Sequence, residues 1–329
     1  MTRSLGIDIG GTKIASAVLD HDGTVMDVET TPTARGGDLI LEQIAAIVDG
    51  FAGKYDLPGI GIAVPGDVNP ITGIIRSAPN IGWTDLDIVE HVRALLPAEA
   101  AVRVDNDANA AAWAEYRFGG HPRTDSFAMI TVGTGLGGGF VINGRLLRGA
   151  TGAAGEIGHL ALVPGGDSCP CGSRGCWERY ASGSALQRAS VAAGWDNPTA
   201  GQDVLSAAGT HPAAHQVVEG VARDLTRGIL LLSSALDPSL VILGGGLGSD
   251  RRFLAIAQEA LAGAEVTPPR SRPQLRTAVL GPLAGAIGAA DLSLEPADQK
   301  TEPEASRTGT NSADKVHLSG IIPQVPNYA

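Results

Sequence analysis

Aromatic residues are scarce: phenylalanine, tryptophan and tyrosine together make up 4% of the 329 residues. Large aromatic interfaces are therefore not expected. Cysteine is scarcer still. Its three copies, Cys169, Cys171 and Cys176, crowd into one short stretch. An odd count at that spacing argues against a disulfide framework and for a metal site in a reducing compartment. Positive charge is in deficit, with 24 Lys and Arg against 35 Asp and Glu, giving a net charge of −11. Such a chain repels polyanions, so no nucleic-acid partner is expected. No run of 18 apolar residues occurs, and nothing near Met1 has the apolar length of a signal peptide. No membrane partner is expected, and the chain reads as cytoplasmic.

Glycine, by contrast, is abundant at 45 residues, which suits tight turns and close backbone approach. A hydrophobic content of 43% with 18% charged residues supplies a globular core, and the length suits about two domains.

Alternating strand and helix signals run along most of the chain. Residues 5–9 form an apolar strand, Gly10-Gly11 breaks it, and residues 14–19 resume it, which predicts a hairpin. Leu39, Ile40, Ile44, Ile47, Val48 and Phe51 recur at helical spacing. A short strand over 60–64 stops at Pro65-Gly66, and Leu86, Val89, Val92 and Leu96 predict a further helix. A strand at 102–104 runs into Asp105-Asn106-Asp107 and an alanine-rich helix over 108–116. The pattern then restarts: a strand over 127–132, a glycine turn over 133–139, a strand over 140–142, and a hairpin turn at Asn143-Gly144. Two glycine-turn hairpins, each heading an α/β unit, predict a duplicated two-lobed protein with a cleft between the lobes. A long helix over 217–236, a strand over 240–243 ending in Gly244-Gly245-Gly246, and helices over 253–261 and 283–294 complete the pattern. From residue 295 the composition turns polar and proline-rich, which predicts a disordered tail over 295–329.

Four motifs carry chemistry. In the first hairpin, Asp8, Gly10, Gly11, Thr12 and Lys13 combine converging backbone N–H groups with a hydroxyl, a cation and a carboxylate able to hold a metal-bound water. The second loop, with Thr131, Gly133, Thr134, Gly135 and Gly137, has more glycine than an ordinary turn needs. Neither is a P-loop, and a strand follows each instead of the helix of a dinucleotide fingerprint. Two such hairpins favour a nucleoside triphosphate. In Asp105-Asn106-Asp107 a carboxylate at the cleft can take a proton from a hydroxyl nucleophile. Equally, Asp105 or Asp107 can cap the helix that follows. Finally, His159 with Cys169, Cys171 and Cys176 makes a Cys₃His set for tetrahedral zinc, closed and hence structural. Glu156 and Glu178 flank it, and the second imidazole nitrogen of His159 is free to face a substrate hydroxyl.

These motifs, in this order and spacing, resemble the ROK family of sugar kinases and sugar-responsive repressors, most of all its bacterial ATP-dependent glucokinases. The resemblance covers roughly residues 5–292, and Glu156-x-x-His159 with the cysteine knuckle is its most specific part. It implies an actin-like, hexokinase-type ATPase fold of two ribonuclease-H-like lobes, one formed by 1–107 with about 283–294 and the other by 108–282. It implies that Asp107 takes the proton of the sugar 6-hydroxyl, and that Gly66, Asn80, Asn106, Glu156, His159 and Glu178 contact the sugar. His159, Cys169, Cys171 and Cys176 match the zinc ligands. The glycine loops match the phosphate sites, and Gly244, Gly245 and Gly246 match the stretch beside the adenosine. Mg²⁺ with ATP, structural Zn²⁺ and a homodimer or homotetramer follow from the same likeness. The rivals are a sugar-responsive repressor, a polyphosphate-using kinase, and a kinase for N-acetylmannosamine, N-acetylglucosamine or fructose. The first glycine loop begins at Asp8, which leaves no room before it for a repressor's helix-turn-helix. Trp83 and Trp177, beside Asn80 and Glu178, are both expected to report closure on sugar.

Overall fold

The structure is a computed structural model that describes residues 3–96, 100–195, 201–266 and 272–294. The tail expected over 295–329 lies outside the described residues. Among the described residues no helix is long and apolar enough to cross a membrane.

The first half runs β1 (Ser4–Ile9), β2 (Lys13–Leu19), β3 (Val25–Pro32), α1 (Gly37–Ala52), β4 (Gly59–Val64), β5 (Asp67–Val68), β6 (Ile74–Ala78), β7 (Trp83–Asp87), α2 (Ile88–Arg93) and β8 (Ala101–Asn106). Helix α3 (Asp107–Phe118) leads to β9 (Ser126–Val132), β10 (Leu136–Ile142) and β11 (Arg145–Leu146). There follow α4 (Gly183–Ala192), α5 (Gly201–Ala207), α6 (Pro212–Leu236), β12 (Leu240–Gly244), α7 (Gly245–Gly248), α8 (Arg251–Gly263), β13 (Gln274–Thr277) and α9 (Ala284–Ser293).

Two five-stranded mixed sheets, β3-β2-β1-β4-β8 and β11-β10-β9-β12-β13, share one plan. In each, a central strand pairs antiparallel with the next strand in sequence and parallel with a later one, which pairs parallel with a fifth. The repeated glycine hairpin is thus the head of a repeated sheet. Strands β1, β4, β9 and β12 read as nearly continuous apolar runs because both of their faces are covered. Strand β3 lies at an edge and is largely exposed, so its sequence alternates weakly and gave no strand signal. The third sheet, β5-β6-β7, inserts between β4 and β8.

Two predicted elements shift. The helix expected across 86–96 shrinks to α2, and Leu86 lies in β7, paired with Ile75 of β6, because Asp87 caps the helix by accepting from Glu90 N at 2.9 Å. The glycine turn expected over 133–139 ends at Gly135, and Gly137, Gly138 and Gly139 lie within β10. A Cβ at Gly139 would stand 2.6 Å from Ala112 Cβ and 2.8 Å from Ala108 O, so glycine there lets α3 lie against the strand. The alanine- and glycine-rich helix α9 packs on β1 and β4 and against α3. A Cβ at Gly288 would meet Ala110 O at 1.8 Å, and one at Gly6 would meet Ala286 O at the same distance. Small residues set that approach, and Asp107 stands at the first position of α3.

Candidate active site

The sequence left open whether Asp105 or Asp107 caps α3. Neither does. Asn106 is the cap: its Oδ1 accepts from Ala108 N at 2.9 Å and Asn109 N at 3.2 Å, while its Nδ2 donates to Gly66 O at 3.1 Å. Gly66 adopts φ +122°, and a Cβ there would meet Ser77 O at 2.3 Å, so only glycine serves at this corner. Asp105 is buried and fully engaged, accepting from Arg148 Nε at 2.6 Å, Asn109 Nδ2 at 3.0 Å and Asn106 N at 2.8 Å. With both jobs taken by its neighbours, Asp107 forms no side-chain hydrogen bond with another side chain among the described residues. Its Oδ1 accepts from Ala108 N at 2.8 Å, and its own backbone N–H also favours the charged form.

Burial pushes the Asp107 carboxyl up to about 6, and the nearby charge of Glu156 adds to this against the opposing backbone N–H bond of Ala108. Asp8, at the end of β1, rises further, to about 7, through burial and the charge of Asp107, tempered by Lys13. Glu156, whose side chain reaches solvent, is also raised, first by partial desolvation and then by the charges of Asp67 and Glu178, while His159 opposes the rise. Asp8, Asp107, Glu156, Glu178 and His159 therefore form one electrostatic neighbourhood, although 170 residues of sequence separate its ends. Two carboxylates held above their ordinary range beside a glycine loop suit a divalent cation, which would restore the charge of both.

The knuckle residues assemble as the sequence predicts. One ligand atom each from His159, Cys169, Cys171 and Cys176 falls within 4.8 Å of all the others. Cys169 Sγ lies 3.8 Å from His159 Nδ1, and Cys171 Sγ 3.6 Å from Cys176 Sγ. Tetrahedral zinc with bonds of about 2.0–2.3 Å needs ligand separations of roughly 3.4–3.8 Å, so the donor set fits the ion. With Nδ1 turned to the sulfurs, His159 Nε2 faces Glu156, 3.9 Å from its Oε2. Glu178 turns the other way, and its Oε2 accepts from Leu136 N at 2.9 Å, at the foot of the second glycine loop. A Cβ at Gly135 would meet that same oxygen at 2.3 Å.

The glycine loops have braces that sequence reasoning missed. Thr33 Oγ1 donates to Gly10 O at 2.6 Å, and Thr33 N donates to Thr12 O at 3.1 Å. Gly183 N and Ser184 N hold the carbonyls of Gly133 and Thr134 at 2.7 and 3.2 Å. Gly285 in α9 leaves room for Asp8, whose Oδ2 would lie 2.3 Å from a Cβ there. Gly245 abuts the second loop, since a Cβ on it would stand 2.7 Å from Val132 O. Thr131, next to last in β9, pairs with Gly137, which as a strand residue faces Thr131 Oγ1 and lies outside the turn. Asn80 is exposed on a 3-10 turn and lines a cavity of about 480 Å³ with Gly11, Thr12, Arg35 and Gly82. That places it on the side of the first loop. The two indoles part company. Trp177 is fully buried and donates to Asp224 O at 3.0 Å, while the buried Trp83 Nε1 has no hydrogen-bond partner among the described residues.

The ROK family model matches residues 4–295. The chain belongs to the ROK family. It is 38% identical over 319 residues to the glucokinase of Streptomyces coelicolor, spanning 90% of this chain and 99% of that one. It is 34% identical over 270 residues to the N-acetylmannosamine kinase of Yersinia pseudotuberculosis, spanning 80% and 90%. The crystal structure of a ROK family glucokinase from Streptomyces griseus in complex with glucose and AMPPNP superposes with a TM-score of 0.76 at 38% identity, covering 88% of this chain and 99% of that one. This ROK protein is accordingly a sugar kinase of the family, with the α/β fold and paired mixed sheets of the hexokinase-type ATPases.

Proposed function

We propose that the protein is a glucokinase that transfers the γ-phosphoryl group of Mg·ATP to O6 of glucose. The observation that carries this reading is Asp107: a carboxylate at the start of α3, lifted to about 6 by burial, with no side-chain partner among the described residues and hydroxyl-directed groups around it. A base with that affinity for protons can hold the 6-hydroxyl and accept its proton as the new P–O bond forms. Asn106, Glu156, His159 and Glu178, with the Gly66 carbonyl corner, supply donors and acceptors for the remaining hydroxyls, and Asn80 joins them from the side of the first loop. The backbone N–H groups of the two glycine loops, Thr12 and Lys13 receive the phosphates, and Gly244, Gly245 and Gly246 flank the adenosine. Mg²⁺, when bound with the triphosphate near Asp8, supplies charge neutralisation for the transfer. Zinc on His159 and the three cysteines orders the knuckle and fixes the imidazole, with no part in the chemistry.

We further propose two lobes, 1–107 with 283–294 and 108–282, that close on substrate, a homodimer or homotetramer, and a cytoplasmic enzyme. The glucokinase relatives support glucose, while the N-acetylmannosamine kinase relative supports the alternative hexose. ADP release measured over a panel of hexoses separates them. Glucose should give the highest kcat/KM, with mannose or glucosamine weaker, because a site built for hydroxyls rejects an epimer that leaves its buried partners unpaired. N-acetylmannosamine or fructose beating glucose tenfold would overturn the choice of sugar. Asp107→Asn tests the base: sugar and ATP affinity should stay within a few-fold, while kcat falls by about 10²–10⁴. A variant keeping more than about a tenth of wild-type kcat would remove Asp107 from that role.

A further inference from the structure

Residues 147–156 link β11 of the second sheet to Glu156, and they are pinned to the first half of the chain at three points. Arg148 Nε donates to Asp105 Oδ2 at 2.6 Å. Arg76 Nη2, from β6, donates to Thr151 O at 2.7 Å. Gly152, at φ +94°, lies so close to β5 that a Cβ would meet Val68 O at 2.4 Å and Pro70 Cδ at 2.6 Å. Arg76 is itself aimed by Asp67, the residue after Gly66: its Nε donates to Asp67 Oδ2 at 2.9 Å and its Nη2 to Oδ1. A planar guanidinium can grip one carboxylate with two N–H groups and still offer one to a carbonyl, which an ammonium cannot do in this geometry.

We propose that Arg76 is a positioning residue that fastens the 147–156 loop to the Gly66–Asp67 corner and so sets where Glu156 stands relative to Asn106. This deepens the sugar-kinase reading and rests on it. The two half-exposed partners contribute little to global stability, so the pair acts through placement. The corner it grips carries the Gly66 carbonyl that holds Asn106, and the loop it grips ends on Glu156. One guanidinium thus sets the spacing between two groups assigned to the sugar, and among the described residues its hydrogen bonds go to Asp67, Val68 and Thr151, none of them assigned to ATP.

The test compares Arg76→Ala and Arg76→Lys with the wild-type full chain. Glucose KM should rise about tenfold in both, since small misplacements of binding groups are costly, while kcat stays within about threefold and ATP KM within about twofold. Hydrogen exchange of the 150–156 amides, measured without substrate, should quicken in both variants. Wild-type KM and exchange in Arg76→Lys would overturn the role of the fork. Parallel loss of kcat, both KM values and melting temperature in both variants would mark Arg76 as merely structural and overturn the proposal. If the wild-type protein phosphorylates no hexose, the sugar-kinase reading falls, and unchanged exchange in the variants then separately refutes the fastening.

Discussion

Asp8 and Asp107 are ordinary carboxylates in sequence and unusual ones in place. Burial raises both, and each sits within reach of a further negative charge, so the folded chain without bound cation carries an electrostatic load at neutral pH. For Asp8 the folded state keeps its proton up to about pH 7, whereas the unfolded chain releases it near 3.8. Between those values the folded state binds more protons, so stability falls as pH rises through the window and stays low above it. Asp8→Asn removes the ionisable group. At pH 8 the unliganded variant should be more stable than wild type by about 4 kcal/mol, and near pH 4 the two should melt together. Thermal melts across that range check it, and equal melting at pH 8 would show that Asp8 carries no such strain. Activity should be lost in the same variant if Asp8 holds the metal-bound water. Asn106 gives the complementary lesson: its type marked it for polar contact, but its amide serves the helix end and Gly66 at once.

At the scale of elements the zinc knuckle and the glycine loops behave differently. The knuckle was legible because all four ligands lie within eighteen residues and their spacing alone brings the donors together. Purified protein should contain about one zinc per chain by elemental analysis, and Cys171→Ser should lose it, because a hydroxyl is a far poorer ligand than a thiolate. Glucose KM should then rise sharply, since His159 loses its anchor and Glu178 its support, while nucleotide binding through the glycine loops survives better. A metal-free, fully active preparation would sink the structural-zinc reading. The second glycine loop was only half legible. Composition marked all of 133–139 as a turn, yet Gly137, Gly138 and Gly139 lie within β10, where Gly138 clears Ile157 and Gly139 admits α3. Composition cannot separate a glycine needed for a turn from one needed for a neighbour's backbone.

For the whole molecule, closure of the proposed lobes is the motion to be measured, and the tryptophans rank by burial and partner. Trp177 is sealed and hydrogen-bonded, whereas the Trp83 indole N–H has no partner among the described residues and its ring packs against Gly37 near the first loop. A saturable fluorescence change with glucose should therefore be lost in Trp83→Phe, and its survival there would assign the signal elsewhere. The sequence by itself determined the central strands, the repeated glycine hairpin, the Cys₃His ligand set and the family likeness, because periodicity and short-range spacing encode them. It did not determine the edge strand β3, the inserted sheet β5-β6-β7, the cap on α3 or the braces at Thr33, Gly183 and Gly285. Only the tertiary structure decided these, along with the raised protonation of Asp8 and Asp107 and the grip of Arg76 on Thr151. Desolvation, charge coupling and backbone clearance arise between segments far apart in sequence, and the order of strands in the two sheets brings those segments together.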